Sequence, residues 1–250
     1  MSDLPLPPIE FRQLVGPTDP KFFDNPTATP VFPDLTRDNY DSVLDFGCGC
    51  GRLARQMIQQ RPRPARYLGI DRHKGMVGWC NENLASRATG FEFRHHDVFH
   101  PTLNPGGTPG HVELPAADGD ISLFIAWSVF THLLEPDAEY YLHELGRVLS
   151  PKGLAVTTWF VFDKGDYPMM QEFQNALMIN VADPTNAVIF DKAWLRSRLD
   201  AAGLVATQIV PPEIKGFQWT IRLEKNIDQK PSVEFPEDLA PKGLARPPVV

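Results

Sequence analysis

Cysteine is scarce in this 250-residue sequence: Cys48, Cys50 and Cys80 are the three present, an odd number with two of them two positions apart. That usage gives no disulfide framework and fits a reducing compartment. Zinc ligation by Cys48 and Cys50 would need C-x-x-C-like spacing and further partners, so both read as small space-filling residues and no metal is expected. Long apolar runs are missing as well. The longest, Ile121 to Phe130, is interrupted by Ser122 and is too short to span a bilayer, and the opening MSDLPLPPIEFRQ has no basic stretch followed by an apolar one. A soluble cytoplasmic protein with no membrane partner is the expectation. Clustered positive charge is also absent: the net charge is -7 and the pI near 5.5, which opposes extensive phosphate contact and excludes nucleic acid as the expected partner.

What is present is ordinary globular material, 42% hydrophobic and 22% charged, in a length that suits one sizeable α/β domain. The 25 prolines concentrate at the two ends, from Pro5 to Pro33 and from Pro231 to Pro248. The chain therefore divides into an N-terminal extension or lid over 1–39, a domain over 40–225 and a proline-rich tail over 226–250, the ends running as extended or weakly ordered arms. No internal repeat is visible.

Chemistry enters at residues 43–52, VLDFGCGCGR. Val43, Leu44, Asp45 and Phe46 read as a short buried strand, and Gly47, Gly49 and Gly51 supply a turn whose missing side chains let a ligand approach the backbone. Against the dinucleotide fingerprint G-x-G-x-x-G the spacing fails, because the third glycine would fall at Arg52. The pattern is instead G-x-G-x-G led by Asp45, and a carboxylate beside such a loop suits a ligand with an amino group or another positive centre. S-adenosylmethionine is such a ligand.

From Val43 onward strands and helices alternate, which argues for a parallel sheet covered on both faces with ligands at the carboxyl edge of its strands. Strands are predicted at Arg66 to Asp71, Phe91 to His95, Asp120 to Ala126 and Leu154 to Phe162. Helices are predicted from Gly51 to Gln60, Lys74 to Arg87, Asp137 to Leu149 with Asp137 as the cap, and Lys192 to Ala202 capped by Asp191. A Gly- and Pro-rich loop covers Pro101 to Ala117. The last two apolar runs, Leu204 to Val210 and Phe217 to Leu223, are joined by a short connector and should pair antiparallel.

In this order VLDFGCGCGR, YLGID at 67–71, HHDV at 95–98, ISLFIAWSVFTHL at 121–133 and ELGRVLSPKG at 144–153 resemble the class I S-adenosylmethionine-dependent methyltransferases, a Rossmann-like superfamily. The resemblance spans roughly Tyr40 to Lys225. It implies a three-layer α/β sandwich with a seven-stranded, mostly parallel sheet whose last strands form an antiparallel hairpin. It also implies S-adenosylmethionine as cofactor and a set of contacts. Asp45 would meet the methionine amino group beside Gly47, Cys48, Gly49, Gly51 and Arg52. Asp71 would accept the ribose hydroxyls with Arg72 and Met76 flanking ribose and base. Asp97 and Val98 would take adenine, and Ala126 and Trp127 would lie beside the sulfonium.

For a hydroxyl acceptor a base is needed, and His132 in SVFTHL is the best placed candidate. The chain reads AWSV where methyltransferases acting on exocyclic or amide nitrogens often carry [N/D]-P-P-[F/Y/W], so an oxygen of a small-molecule or sugar acceptor is favoured. Two other classes stay open at this point. One is an NAD(P)-dependent oxidoreductase, for which Asp71 stands at the right distance to hold a ribose; the other is a module that binds the cofactor without turning it over.

Overall fold

The computed structural model describes residues 4–237. Its centre is a sheet in which β1 (Ser42–Phe46), β2 (Arg66–Asp71), β3 (Phe91–His95), β4 (Ile121–Ala126) and β5 (Leu149–Phe162) run parallel in the order β3-β2-β1-β4-β5. Alternation along β1 explains why both faces are covered. Leu44 and Phe46 enter one apolar cluster, while Val43 enters a second on the opposite face. The first cluster is closed by the helices over Glu135–Val148 and Lys192–Ala201, the second by α2 (Arg52–Gln59) and α3 (Lys74–Asn83).

Between β6 (Ala176–Met178) and β7 (Val188–Asp191) the chain makes a hairpin with no counterpart among the predicted strands. β7 lies parallel to the last residues of β5, pairing Phe160 with Ile189 and Phe162 with Asp191. The earlier part of β5 pairs antiparallel with β9 (Trp219–Lys225), which pairs antiparallel with β8 (Leu204–Val210) as expected. The sheet thus has nine strands: seven in the predicted arrangement and two grafted on the overhanging end of β5. Asp191 joins the graft to the rest. Its carboxylate caps α5 (Lys192–Ala201) by accepting from Trp194 N at 2.9 Å and also accepts from Lys164 N at 3.0 Å.

Several boundaries differ from the sequence reading for identifiable reasons. The helix expected from Asp137 is α4, Glu135–Val148, and starts two residues earlier because Pro136, which has no N–H to lose, fits its first turn. Asp137 is therefore inside the first turn, not at the cap, and its Oδ1 faces His111 Nε2 at 2.9 Å. The helix expected to reach Arg87 ends at Asn83 and is followed by a separate 3₁₀ turn, Ala85–Arg87. β5 starts at Leu149, not Leu154, because Leu149 already pairs with Ile121 ahead of a bulge. The Gly- and Pro-rich loop is tied to α4: Glu144 accepts from Leu114 N at 2.7 Å, and Arg147 donates to Leu114 O at 3.1 Å and Ala116 O at 2.9 Å.

The described parts of the two arms pack against the domain, Leu4, Val31, Phe32 and Leu35 on one apolar cluster and Phe235 on the other. The N-terminal one carries α1 (Ile9–Leu14) and buries Phe23, Phe32 and Tyr40. It is held by Arg55 of α2, itself 3% exposed, which donates to Leu4 O (2.9 Å), Pro5 O (3.1 Å) and Phe23 O (2.8 Å) and pairs with Asp24. One guanidinium thereby gathers both ends of the strap formed by residues 4–24. At the other terminus Val233 N reaches Ala206 O at 2.9 Å, and Phe235 meets Trp219 edge-on with ring centroids 5.8 Å apart. The ends of the two arms, residues 1–3 and 238–250, lie outside the described residues. No helix among the described residues is long and apolar enough to cross a membrane.

Candidate functional site

At the carboxyl edge of β1 the glycine turn is pinned from below: Gly47 N and Cys48 N both donate to Ile70 O, at 2.8 and 3.0 Å. Gly47, Gly49 and Gly51 all have positive φ, which side-chain-bearing residues avoid. Space is closed as well as angle. A Cβ on Gly49 would sit 2.6 Å from Val15 of the strap, one on Gly51 2.6 Å from Leu84, and one on Gly47 would collide with Val129. The glycines are therefore required by the protein's own packing, whereas the sequence reading attributed them to ligand approach alone.

Asp71, at the end of β2, is seated on two amides: Gly49 N reaches Oδ2 at 2.9 Å and His73 N reaches Oδ1 at 2.7 Å. Burial pushes its pKa up and the two amides pull against that. The carboxylate that ends β2 thus fixes the shape of the glycine turn.

Asp45 has a different environment. It is 2% exposed and accepts the hydroxyl hydrogen bond of Tyr67, so the sheet interior supplies the partner that a carboxylate ending a buried strand requires. Burial raises its pKa to about 7, against the pull of the Tyr67 hydrogen bond and the Arg52 charge; the Asp71 charge adds to the rise.

Arg52 and Arg72 flank the turn and the end of β2. Both are half-buried, and among the described residues neither guanidinium makes a hydrogen bond or ion pair. Burial lowers the pKa of each. Met76 is buried with Cys50 and Phe23 beneath Phe11 and Val15. The three thiols are free and buried; burial pushes Cys50 up to about 12 and raises Cys48 and Cys80, so all three fill space as neutral groups.

Past β3, Asp97 is exposed, with Oδ1 3.0 Å from Asn104 Nδ2 and Oδ2 3.3 Å from the Thr108 hydroxyl. The Asn104 hydrogen bond heads the influences that hold its carboxyl below the usual range. Val98 bridges to Thr108, fixing this short loop. Past β4, Ala126 is fully buried and Trp127 is 36% exposed. Ser128 then takes a positive φ of 59°, with its N held by the Thr158 hydroxyl at 2.8 Å and its own hydroxyl 2.9 Å from Gln218 Oε1.

This turn delivers His132, half-buried, whose Nδ1 lies 2.8 Å from the carbonyl oxygen of Thr185. A carbonyl only accepts, so Nδ1 carries the proton, and in the neutral ring Nε2 holds the lone pair.

The glycine turn, Asp71, Arg72, Met76, Asp97, Val98, Ala126, Trp127 and His132 thus come from one edge of the sheet, with Asp45 enclosed below it. Two contributors had no visible signal in the sequence. One is Thr185, from the β6–β7 loop. The other is the strap, where Phe11 lies edge-on to His73 at 5.4 Å between ring centroids. Arg12 of the strap donates to Thr18 O while its Nε is buried without a partner among the described residues.

Comparison with known proteins agrees with this architecture. Residues 43–153 match the family model described as a methyltransferase domain. A S-adenosylmethionine-dependent methyltransferase from Aquifex aeolicus superposes with a TM-score of 0.51 at 17% identity, covering 88% of this chain and 98% of that one. Mitomycin 7-O-methyltransferase MmcR superposes with a TM-score of 0.50 at 12% identity, covering 76% of this chain and 50% of that one. The O-methyltransferase NcsB1 from neocarzinostatin biosynthesis, in complex with S-adenosylmethionine and 2-hydroxy-5-methyl naphthoic acid, gives 0.50 at 13% identity over the same shares. At such identities the likeness is one of fold. Together with the family match it bears out the resemblance to class I Rossmann-like methyltransferases.

Proposed function

We propose that the protein transfers a methyl group from S-adenosylmethionine to a hydroxyl oxygen of a small-molecule or sugar acceptor, with His132 as the base. When bound, S-adenosylmethionine supplies an electrophilic methyl group on a positively charged sulfur.

The crevice residues fit that molecule. Asp71 has committed one lone pair of each oxygen to backbone amides, leaving acceptor capacity for two ribose hydroxyls. Asp97 and Val98 stand ready for the adenine edge. The guanidinium of Arg52 and the buried Nε of Arg12, both without a partner among the described residues, are cationic groups suited to a carboxylate. Asp45, enclosed with Tyr67, acts on a cationic ligand through its field instead of by direct contact. No metal is called for.

The observation that carries the base assignment is the 2.8 Å contact of His132 Nδ1 with Thr185 O. It presents Nε2 as a lone pair, the form that removes a hydroxyl proton as the acceptor oxygen takes the methyl group. The proton ends on Nε2, and the imidazolium so formed is stabilised by the Thr185 carbonyl dipole at its other nitrogen. The Trp127 ring offers an apolar wall, and the remaining catalysis is alignment and exclusion of water. The AWSV tetrapeptide at Ala126–Val129 supports oxygen over nitrogen, lacking the paired prolines of enzymes that act on amide nitrogens. We place the reaction in the cytoplasm, where the three free thiols remain reduced.

The test is incubation with methyl-labelled S-adenosylmethionine and a panel of hydroxylated small molecules, glycans and cell extracts. Label on an oxygen is the expected outcome. Transfer by the His132→Ala variant should be slower by at least about a hundredfold while its affinity for S-adenosylhomocysteine is unchanged. Label found on nitrogen, or tight cofactor binding with no transfer to any fraction, overturns the reading.

A further inference from the structure

Thr185 sits in the one-turn 3₁₀ segment Pro184–Asn186 of the β6–β7 loop, outside the matched residues 43–153. Its carbonyl oxygen accepts the hydrogen bond of His132 Nδ1–H at 2.8 Å. Its hydroxyl lies 3.4 Å from His100 Nε2 and 3.1 Å from Asp183 Oδ1. The direction of each bond can be assigned. His100 Nδ1 faces two backbone donors, Thr102 N at 3.2 Å and Leu103 N at 3.0 Å, so it must hold a lone pair. In the neutral ring the proton is then on Nε2, pointing at the Thr185 oxygen across a long contact, and the threonine hydroxyl donates its own hydrogen bond to Asp183 Oδ1. Burial, and next the Arg72 charge, disfavour the protonated form of His100, in keeping with its two donors. A residue from the grafted hairpin thus meets imidazoles from the loops after β3 and after β4.

We propose that Thr185 is a positioning residue for methyl transfer: from the β6–β7 loop it fixes the Nδ1–H tautomer of His132 and holds Nε2 open toward the acceptor. This rests on the assignment of His132 as the base. It makes the hairpin part of the active site, with the Asp183–Thr185–His100 chain bracing the loop against the opposite wall of the crevice.

The test reads tautomers directly, by ¹⁵N NMR of the histidine rings in the full chain without acceptor or cofactor. The expected result is Nδ1–H for His132 and Nε2–H for His100. In Thr185→Gly, which removes the hydroxyl and loosens the loop, His132 should lose its single tautomer. Methyl transfer should then fall by on the order of tenfold, with S-adenosylhomocysteine affinity unchanged. Thr185→Ser, which keeps both oxygens, should restore tautomer and rate. A His132 tautomer that is Nε2–H in the native chain, or that ignores Thr185→Gly, overturns the role of Thr185. Transfer as fast in His132→Ala as in the native protein overturns the base assignment instead.

Discussion

On the glycine-turn side of the crevice the groups that would face a ligand are held by backbone. Ile70 O receives Gly47 N and Cys48 N, and Asp71 receives Gly49 N and His73 N. On the far side they are held by side chains and carbonyls distant in sequence, Ser128 by Thr158 and Gln218 and His132 by Thr185. A seat made of amides and positive-φ glycines tolerates little change and suits a ligand that stays the same. A wall made from a grafted hairpin can be altered without disturbing the seat, and suits the part of the reaction that differs between proteins of one fold.

The contrast is broken most directly at Asp71. Its alanine variant should lose S-adenosylhomocysteine affinity by roughly a hundred- to a thousandfold in calorimetry, since it removes charged acceptors and unties Gly49 together. Unchanged affinity would refute the donor-side assignment.

Asp45→Asn sharpens it through pH. The native carboxyl has its folded pKa raised to about 7, so the folded state holds this proton more tightly than the unfolded chain does, and ionisation at higher pH weakens folding. The asparagine, which still accepts from Tyr67, should gain roughly 2–4 kcal/mol over the native protein at pH 8, and the gain should fade as pH falls from 7 toward 4. Denaturant titrations at both ends of that range measure it.

Gly49→Ala against Gly216→Ala compares a filled position with an open one. Both have positive φ, but only Gly49 has a neighbour within 4 Å of the added carbon. Calorimetric unfolding should show a loss of about 2–3 kcal/mol at Gly49 and about 1 kcal/mol at Gly216. The smallest effect belongs to Thr131, next to the proposed base, whose buried hydroxyl has no hydrogen-bond partner among the described residues. Thr131→Val should be stabilising by about 0.5–1 kcal/mol in the same experiment.

Legibility from sequence follows the same division. The β1 run and its glycines were readable because positive φ leaves few alternatives to glycine, and the α4 stripe was readable because Tyr141, Leu142, Leu145 and Val148 must share one face. Asp191 announced itself as a cap by standing ahead of a helical pattern. The hairpin left no such trace: β6 has three residues and β7 four, too few for a period, and both exist because β5 overhangs β9. Thr185 has no local signal, since its importance lies in a contact 53 residues away. Met169 and Phe173, in the stretch between β5 and β6, are 88% and 78% accessible and pair into no strand. The proline-rich N-terminal arm reads as extended or weakly ordered because proline withholds a backbone donor. Nothing in the local pattern announced that Arg55, on a helix thirty and more residues downstream, would supply donors in place of the missing ones.

That arginine makes the least regular stretch of the chain expensive to trim. Cutting away the residues through Pro5 would strip two carbonyls from a buried cation, leaving it Phe23 O and Asp24 as partners. Shortened versions should therefore unfold at a lower denaturant midpoint than the full chain.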